Sequence, residues 1–247
     1  MAEQVVLVTG AGGGIGAACA RELLADGNKV TALDVKPIDA AVMALGTDEN
    51  LIPLNVDVSK LDLVRDVVRQ TVDRFGRLDA VCHFAAIHST LNWEDVSSEE
   101  FLRTQEVNVL GSFHIVKAAG EYMKENGGGA IVLTSSGSVQ ASGVGGGSGR
   151  GGPAYVTSKA AIYGLNRSMA RSLGPYNIRV NTVSPGATET PMIAEYTNES
   201  RANAASRAML GRIGTPEDVV DVARFLISDA ARYVTGEVIS VSGGGSV

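Results

Sequence analysis

Val5-Val6-Leu7-Val8-Thr9-Gly10-Ala11-Gly12-Gly13-Gly14-Ile15-Gly16 decides the reading of this chain. Its first five residues form the short continuous apolar run expected of a strand buried on both faces. Glycines follow at once. Ile15 to Ala25 then carries helix formers and closes at Gly27, a plausible C-cap. Strand, glycine turn and helix in immediate succession make an anion site. Without Cβ atoms a phosphate can approach the backbone, and the helix N-terminus offers free N–H groups and the positive end of its dipole.

In such a unit, an acidic residue about 20 positions on, at the end of the second strand, can hold a ribose 2′-hydroxyl. Asp34 ends the next strand-like run, Lys29–Asp34, 18 residues past Gly16. A carboxylate there repels a 2′-phosphate. The glycine loop holds no Arg or Lys, and Lys36 is the only nearby cation. The sequence therefore predicts a dinucleotide cofactor, NAD rather than NADP.

The alternation continues outward. Strand readings fall at Leu51–Leu54, Leu78–Ala85, Ala130–Ser135, Ile178–Ser184 and Glu237–Val241. Helices are read at 59–75 with Ser59 as cap, 98–124 as one long helix or a bent pair, 153–173, and 216–228 with Pro216 at its start. Strands alternating with helices imply right-handed βαβ units. The expected fold is a single α/β domain over 1–247, a doubly wound Rossmann fold with a parallel seven-stranded sheet flanked by helices.

Composition narrows the function classes. Of 247 residues 30 are Gly, well above the roughly 7% of average usage, and 18 of them sit in clusters at 10–16, 127–129, 143–152 and 243–245. With no Gly-X-Y period, collagen is excluded. A net charge of −6 and the absence of Lys/Arg runs leave no electrostatic footprint for nucleic acid. No apolar run is long enough to span a membrane. The opening Met-Ala-Glu-Gln has no basic n-region, so no signal peptide is expected. Cys19 and Cys82 lie in apolar contexts and read as buried free thiols, which fits a cytoplasmic location.

A second constellation lies downstream. In Tyr155-Val156-Thr157-Ser158-Lys159, positions i and i+4 share one helix face, so phenol and ammonium point the same way. A cation beside a phenol lowers its pKa and makes it usable as a general acid/base. The strand before it ends in Thr134-Ser135-Ser136, and ligands of open sheets bind beyond the carboxyl ends of strands. Asn108 is a polar amide in an apolar helical stretch.

With these residues in view, the chain resembles the short-chain dehydrogenase/reductase family, in its common form of about 250 residues, from Val5 to Gly244. The glycine spacing Thr9-Gly10-x-x-x-Gly14-x-Gly16 carries the likeness, as does the order of Asp57-Val58, Asn108, Ser136, Tyr155, Lys159 and Pro185-Gly186 through Thr190. Arg212-x-Gly214-x-Pro216-Glu217-Asp218-Val219 and Tyr233-Val234-Thr235-Gly236 complete it. The resemblance implies an NAD(H)-dependent oxidoreductase acting on a secondary alcohol or ketone. Tyr155 would be the acid/base and Ser136 would hold the reacting oxygen, with Ser138 as the competing serine. Lys159 would lower the Tyr155 pKa and hold the nicotinamide ribose. Asn108 would position a water that relays protons to Lys159. The cofactor would lie along Gly10, Gly14, Ile15, Gly16, Asp34, Val35, Asp57, Val58, Ala85, Ala86, Tyr155, Lys159, Pro185, Gly186, Thr188 and Thr190. Hydride passes directly between nicotinamide and carbon, so no metal is expected. A homotetramer is implied, and a non-catalytic NAD(H) sensor is the second function class.

Three departures from the family pattern stand out. His83-Phe84-Ala85-Ala86 replaces the usual Asn-Asn-Ala-Gly. Ser136 and Tyr155 are 19 positions apart, against about 13 in the family, and the excess falls in the Gly-rich 143–152, whose only charge is Arg150. The C-terminal Val-Asp-Gly-Gly reads Val241-Ser242-Gly243-Gly244, which predicts a change in assembly rather than in chemistry. Segment 187–212 is expected to form a substrate lid, with Met192, Ile193, Tyr196, Met209 and Leu210 suggesting a hydrophobic or mixed substrate. His88 could line the substrate pocket or face solvent from its loop, and Trp93 reads as a packing anchor.

Overall fold

The computed structural model describes residues 3–141, 151–194 and 196–246. Its strands are β1 (Val5–Thr9), β2 (Lys29–Asp34), β3 (Leu51–Asn55), β4 (Ala80–His83), β5 (Gly129–Thr134), β6 (Ile178–Pro185) and β7 (Val238–Val241). They form one parallel sheet in the order β3-β2-β1-β4-β5-β6-β7. The strand order reverses between β1 and β4. Crossovers diverge there to opposite faces and leave a crevice at the carboxyl ends. β1 is buried along its whole length, as its unbroken apolar run requires. Edge strand β3 alternates in burial and tolerates Pro53.

The helices are α1 (Gly14–Ala25), α2 (Ala40–Leu45), α3 (Leu61–Phe75), α4 (Ser98–Gln105), α5 (Gly111–Glu125), α6 (Ser138–Ala141), α7 (Pro153–Leu173), α8 (Asn198–Arg207) and α9 (Pro216–Ile227). α1 and α9 bury Leu23, Leu24, Val219, Val220 and Leu226 on one sheet face. α3, α5 and α7 bury Val64, Val67, Ile115, Met123 and Ile162 on the other. α9 starts with a full capping box between Thr215 and Asp218.

Several expectations need correction. Ser59 does not cap α3: Lys60 is the N-cap, and the buried Ser59 hydroxyl has no partner among the described residues. The stretch over 98–124, expected as one long helix or a bent pair, is two helices, α4 and α5, joined by a π turn at Glu106–Leu110, where one extra residue is accommodated without a break. Trp93 is no packing anchor, for it is 78% exposed. Short α2 and the polar α8 carry too little apolar periodicity to be read from sequence.

One buried hydroxyl ties the crevice floor together. Thr9 Oγ1, at the end of β1, accepts from the N–H groups of Phe84 (3.1 Å) and Ala85 (3.0 Å). With both lone pairs used, its proton goes to His83 Nδ1, 2.8 Å away. The network thereby assigns the His83 proton to Nε2. Burial, helped by the Lys159 charge, pushes His83 down to about 3, so it is neutral at every ordinary pH. The nearly isosteric Thr9→Val substitution strands buried partners. It is expected to cost about 1–3 kcal/mol, read as a lower denaturant midpoint at unchanged m-value.

Candidate active site

A cavity of about 710 Å3 opens at the carboxyl ends of β1, β4, β5 and β6. Its first half is the glycine loop. A Cβ on Gly16 would lie 2.3 Å from the Gly10 carbonyl oxygen, and Gly10 and Gly14 hold φ of +76° and +54°. These three positions therefore need glycine for close approach or backbone conformation. The N-cap of α1 is Gly13, with no capping side chain and no acidic residue in the first turn. The positive end of the helix is left open toward the cavity, as a phosphate site requires.

Asp34 closes the loop from the second strand. Its Oδ2 accepts from the Gly12 N–H at 2.9 Å and its Oδ1 from the Lys36 N–H at 2.9 Å. The carboxylate is thus held beside the loop by backbone, not by a side-chain cation. Val35, Asp57 and Val58 line the same region. Burial raises the Asp57 carboxyl, but the Ser59 N–H and the Arg103 guanidinium 3.2 Å away outweigh it and hold it below the usual range. Ile15, Ala85, Ala86, Pro185, Gly186, Thr188 and Thr190 complete the lining expected for a cofactor. An open helix end, a Cβ-free cradle and a carboxylate at the strand tip fit a nicotinamide dinucleotide.

The second half gathers Ser136, Tyr155 and Lys159. α7 starts with Pro153 at its first position, which puts Tyr155 in the first turn and Lys159 one turn on. Tyr155 is 7% and Lys159 3% exposed. Lys159 Nζ donates to the Thr134 carbonyl at 3.0 Å and lies 5.8 Å from the Tyr155 ring centroid. The Lys159 carbonyl accepts from Ser135 Oγ, which fixes α7 against the end of β5. Ser136 Oγ accepts from both the N–H and the hydroxyl of Ser138, at 3.2 and 2.9 Å. Both serines line the cavity, and a hydrogen bond from Ser136 opposes the upward push of burial on the Tyr155 phenol.

The expected lowering of the Tyr155 pKa by Lys159 is not what this cavity does. Burial pushes the phenol up to about 12, against a smaller opposing pull from Ser136. The same burial pushes Lys159 down to about 8. Both groups move toward neutrality because a dry site disfavours either charge.

Asn108 does not line the cavity; it sits behind it. Its Oδ1 accepts from the Ile87 N–H at 2.9 Å, and its Nδ2 donates to the Ile87 carbonyl at 3.0 Å and to Ser158 Oγ at 2.9 Å. Ser158 Oγ in turn donates to the Tyr155 carbonyl. One side-chain amide, carried in the π turn, thus clamps the loop after β4 to the helix that carries Tyr155.

Other expectations divide. Met192, Ile193 and Tyr196 line the cavity, whereas Met209 and Leu210 are exposed and lie against Gly244 and Gly243. Arg150 and most of the Gly-rich stretch fall outside the described residues; Gly151 and Gly152 fall within them, and both are tightly placed. A Cβ on Gly151 would meet the Tyr155 ring at 2.2 Å, and one on Gly152 would meet the Leu91 carbonyl at 1.7 Å. Sequence reasoning missed the C-terminal segment as part of the site: Ser242, Gly245 and Ser246 line the cavity, and Ser246 Oγ sits where a Gly137 Cβ would be. The glycine run at 243–245 was the available signal.

A family profile described as "Enoyl-(Acyl carrier protein) reductase" matches residues 10–246. The 3-oxoacyl-[acyl-carrier-protein] reductase FabG of Thermotoga maritima is 35% identical, covering 98% of this chain and 97% of its own length. The 3alpha-hydroxysteroid dehydrogenase of Mediterraneibacter gnavus is 36% identical, over 98% of this chain and 96% of its own. A crystal structure of levodione reductase superposes with a TM-score of 0.89 at 31% identity, covering 98% of this chain and 97% of that one. Glycine cradle, parallel sheet and full-length similarity agree: the chain belongs to the short-chain dehydrogenase/reductase family and is an oxidoreductase that binds a nicotinamide cofactor.

Proposed function

We propose that the protein is an NAD(H)-dependent dehydrogenase/ketoreductase that interconverts a secondary alcohol and its ketone, with Tyr155 as general acid/base. The observation that carries this reading is the convergence of Ser136, Tyr155 and Lys159 in the same cavity as the glycine loop and Asp34. NAD is favoured over NADP because the Asp34 carboxylate, held by the Gly12 N–H, occupies the strand tip and would repel a 2′-phosphate, with Lys36 the cation beside it.

The bound nicotinamide supplies or accepts the hydride. The protein supplies the rest. The Ser136 hydroxyl holds the substrate oxygen, and the Tyr155 phenol, protonated because burial keeps it near 12, donates its proton to that oxygen in ketone reduction. Lys159 holds the nicotinamide ribose and restores the proton. The Asn108 amide has both hydrogens committed to Ile87 and Ser158. A relay water would therefore meet an Asn108 oxygen. All four polar groups have a role in acid/base work that a sensor of NAD(H) would not need. A homotetramer is consistent with Leu102 and Leu110, which α4 and the π turn leave exposed.

Three outcomes test this reading. Tyr155→Phe should retain NADH affinity and lose turnover by about 10²–10⁴-fold, measured by NADH fluorescence titration and steady-state assay against a panel of cyclic ketones. Asp34→Ala should weaken NAD binding far more than NADP binding; a wild-type preference for NADP overturns the cofactor assignment. Ketone reduction should decline as pH rises through about 8, where Lys159 loses its proton. That limb should move to higher pH in Lys159→Arg, because a guanidinium does not titrate there.

A further inference from the structure

His88 is the first ionisable side chain past β4, on the loop that Asn108 clamps. Its backbone is fixed from both sides. Asn108 takes the N–H and the carbonyl of Ile87, and the Ser89 carbonyl accepts from the Gly152 N–H at 2.8 Å. The imidazole meets the Tyr155 ring edge to face, with centroids 4.6 Å apart and planes at 76°. Gly151 fits against the same Tyr155 ring, with no room for a Cβ, so the phenol is held between the two. The His88 ring also lines the cavity, and among the described residues neither ring nitrogen has a hydrogen-bond partner.

We propose that His88 is a specificity-determining residue that hydrogen-bonds a second oxygen on the substrate, borne by the carbon next to the reacting one, so that the preferred substrates are vicinal hydroxyketones and 1,2-diols. This rests on the Tyr155 reading of the site. The geometry is that of neighbouring oxygens. A ring packed directly on the catalytic phenol places its nitrogens within reach of an atom one carbon away from the oxygen that the phenol serves. The chemistry agrees. Burial and the Lys159 charge hold His88 below its ordinary value, so it is the neutral imidazole at neutral pH. One nitrogen then donates and the other accepts, which suits a hydroxyl or a carbonyl equally and allows the same residue to serve both the diol and the hydroxyketone. A plain ketone would leave that nitrogen unpaired in a half-buried site, and such losses discriminate strongly.

The test compares 2-hydroxycyclohexanone with cyclohexanone in the full-length wild-type protein and in His88→Phe, which preserves an aromatic edge on Tyr155. The ratio of kcat/KM for the hydroxyketone over the plain ketone is expected to fall about tenfold or more in His88→Phe, chiefly through KM. A loss that is equal for the two ketones makes His88 a packing residue and overturns the proposal, as does an unchanged ratio. Binding is read separately, by titrating each ketone into the NADH complex of Tyr155→Phe and of Tyr155→Phe/His88→Phe and following NADH fluorescence. Tighter binding of the hydroxyketone that vanishes in the double variant supports the proposal even where wild-type turnover is absent, an outcome that would overturn the dehydrogenase reading alone. No binding preference in Tyr155→Phe overturns the proposal.

Discussion

The site depends on one buried amide. Asn108 is 1% exposed and its side chain makes three hydrogen bonds to two elements that are remote in sequence. Ile87 belongs to the loop leaving β4 and Ser158 to α7. Without the clamp, the loop that carries His88 would be tied to the helix that carries Tyr155 by the hydrogen bond from the Gly152 N–H to the Ser89 carbonyl and by packing. The π turn is what delivers the amide. One extra residue in the helical path between α4 and α5 offsets the chain there, and such turns persist where a function repays their poorer geometry. The Asn108 carbonyl also accepts from Ser112 Oγ, so a backbone group in this irregular turn keeps a partner.

A second constraint is the dryness of the cavity floor. Tyr155, Lys159 and His83 are all nearly inaccessible, and burial moves each toward its neutral form. Charge is then confined to Lys159 below about pH 8 and to the rim. Asp34 and Asp57 sit at the rim and are satisfied by backbone N–H groups, with Arg103 beside Asp57. The result is an axis with fixed negative charge at the end that would take the ribose and a neutral, protonated donor at the reacting end. A phenol that keeps its proton is in the form that a proton donor needs.

What could be read from sequence was what is local. Gly10 to Gly16 with Asp34, and Tyr155 with Lys159, each lie within one βαβ unit or one helical turn, and their spacing alone fixes their geometry. The parallel seven-stranded sheet followed from the alternation of short apolar runs with helical ones. What escaped was long-range. Thr9 reaches His83 across 74 positions, and Asn108 reaches Ser158 across 50. No periodicity reports such pairs. The sign of the Tyr155 shift escaped for the same reason: the neighbouring Lys159 is visible in the sequence, whereas the burial that outweighs it is a property of the folded cavity.

His83 and the glycines before Tyr155 show how the departures from the family pattern fit together. An asparagine at position 83 could bond on several sides. A histidine has two ring nitrogens, and one is spent on Thr9. Its backbone carbonyl accepts from Thr134 Oγ1 at 2.7 Å, so β4 stays tied to β5 through main chain, independently of the side chain at 83. The chain is thus free to change that side chain while the ends of both strands keep their places. At the other end, Gly151 and Gly152 are both pressed against neighbours with no room for a Cβ. They dock on the Tyr155 ring and the Leu91 carbonyl. Their placement anchors the start of the helix that carries Tyr155.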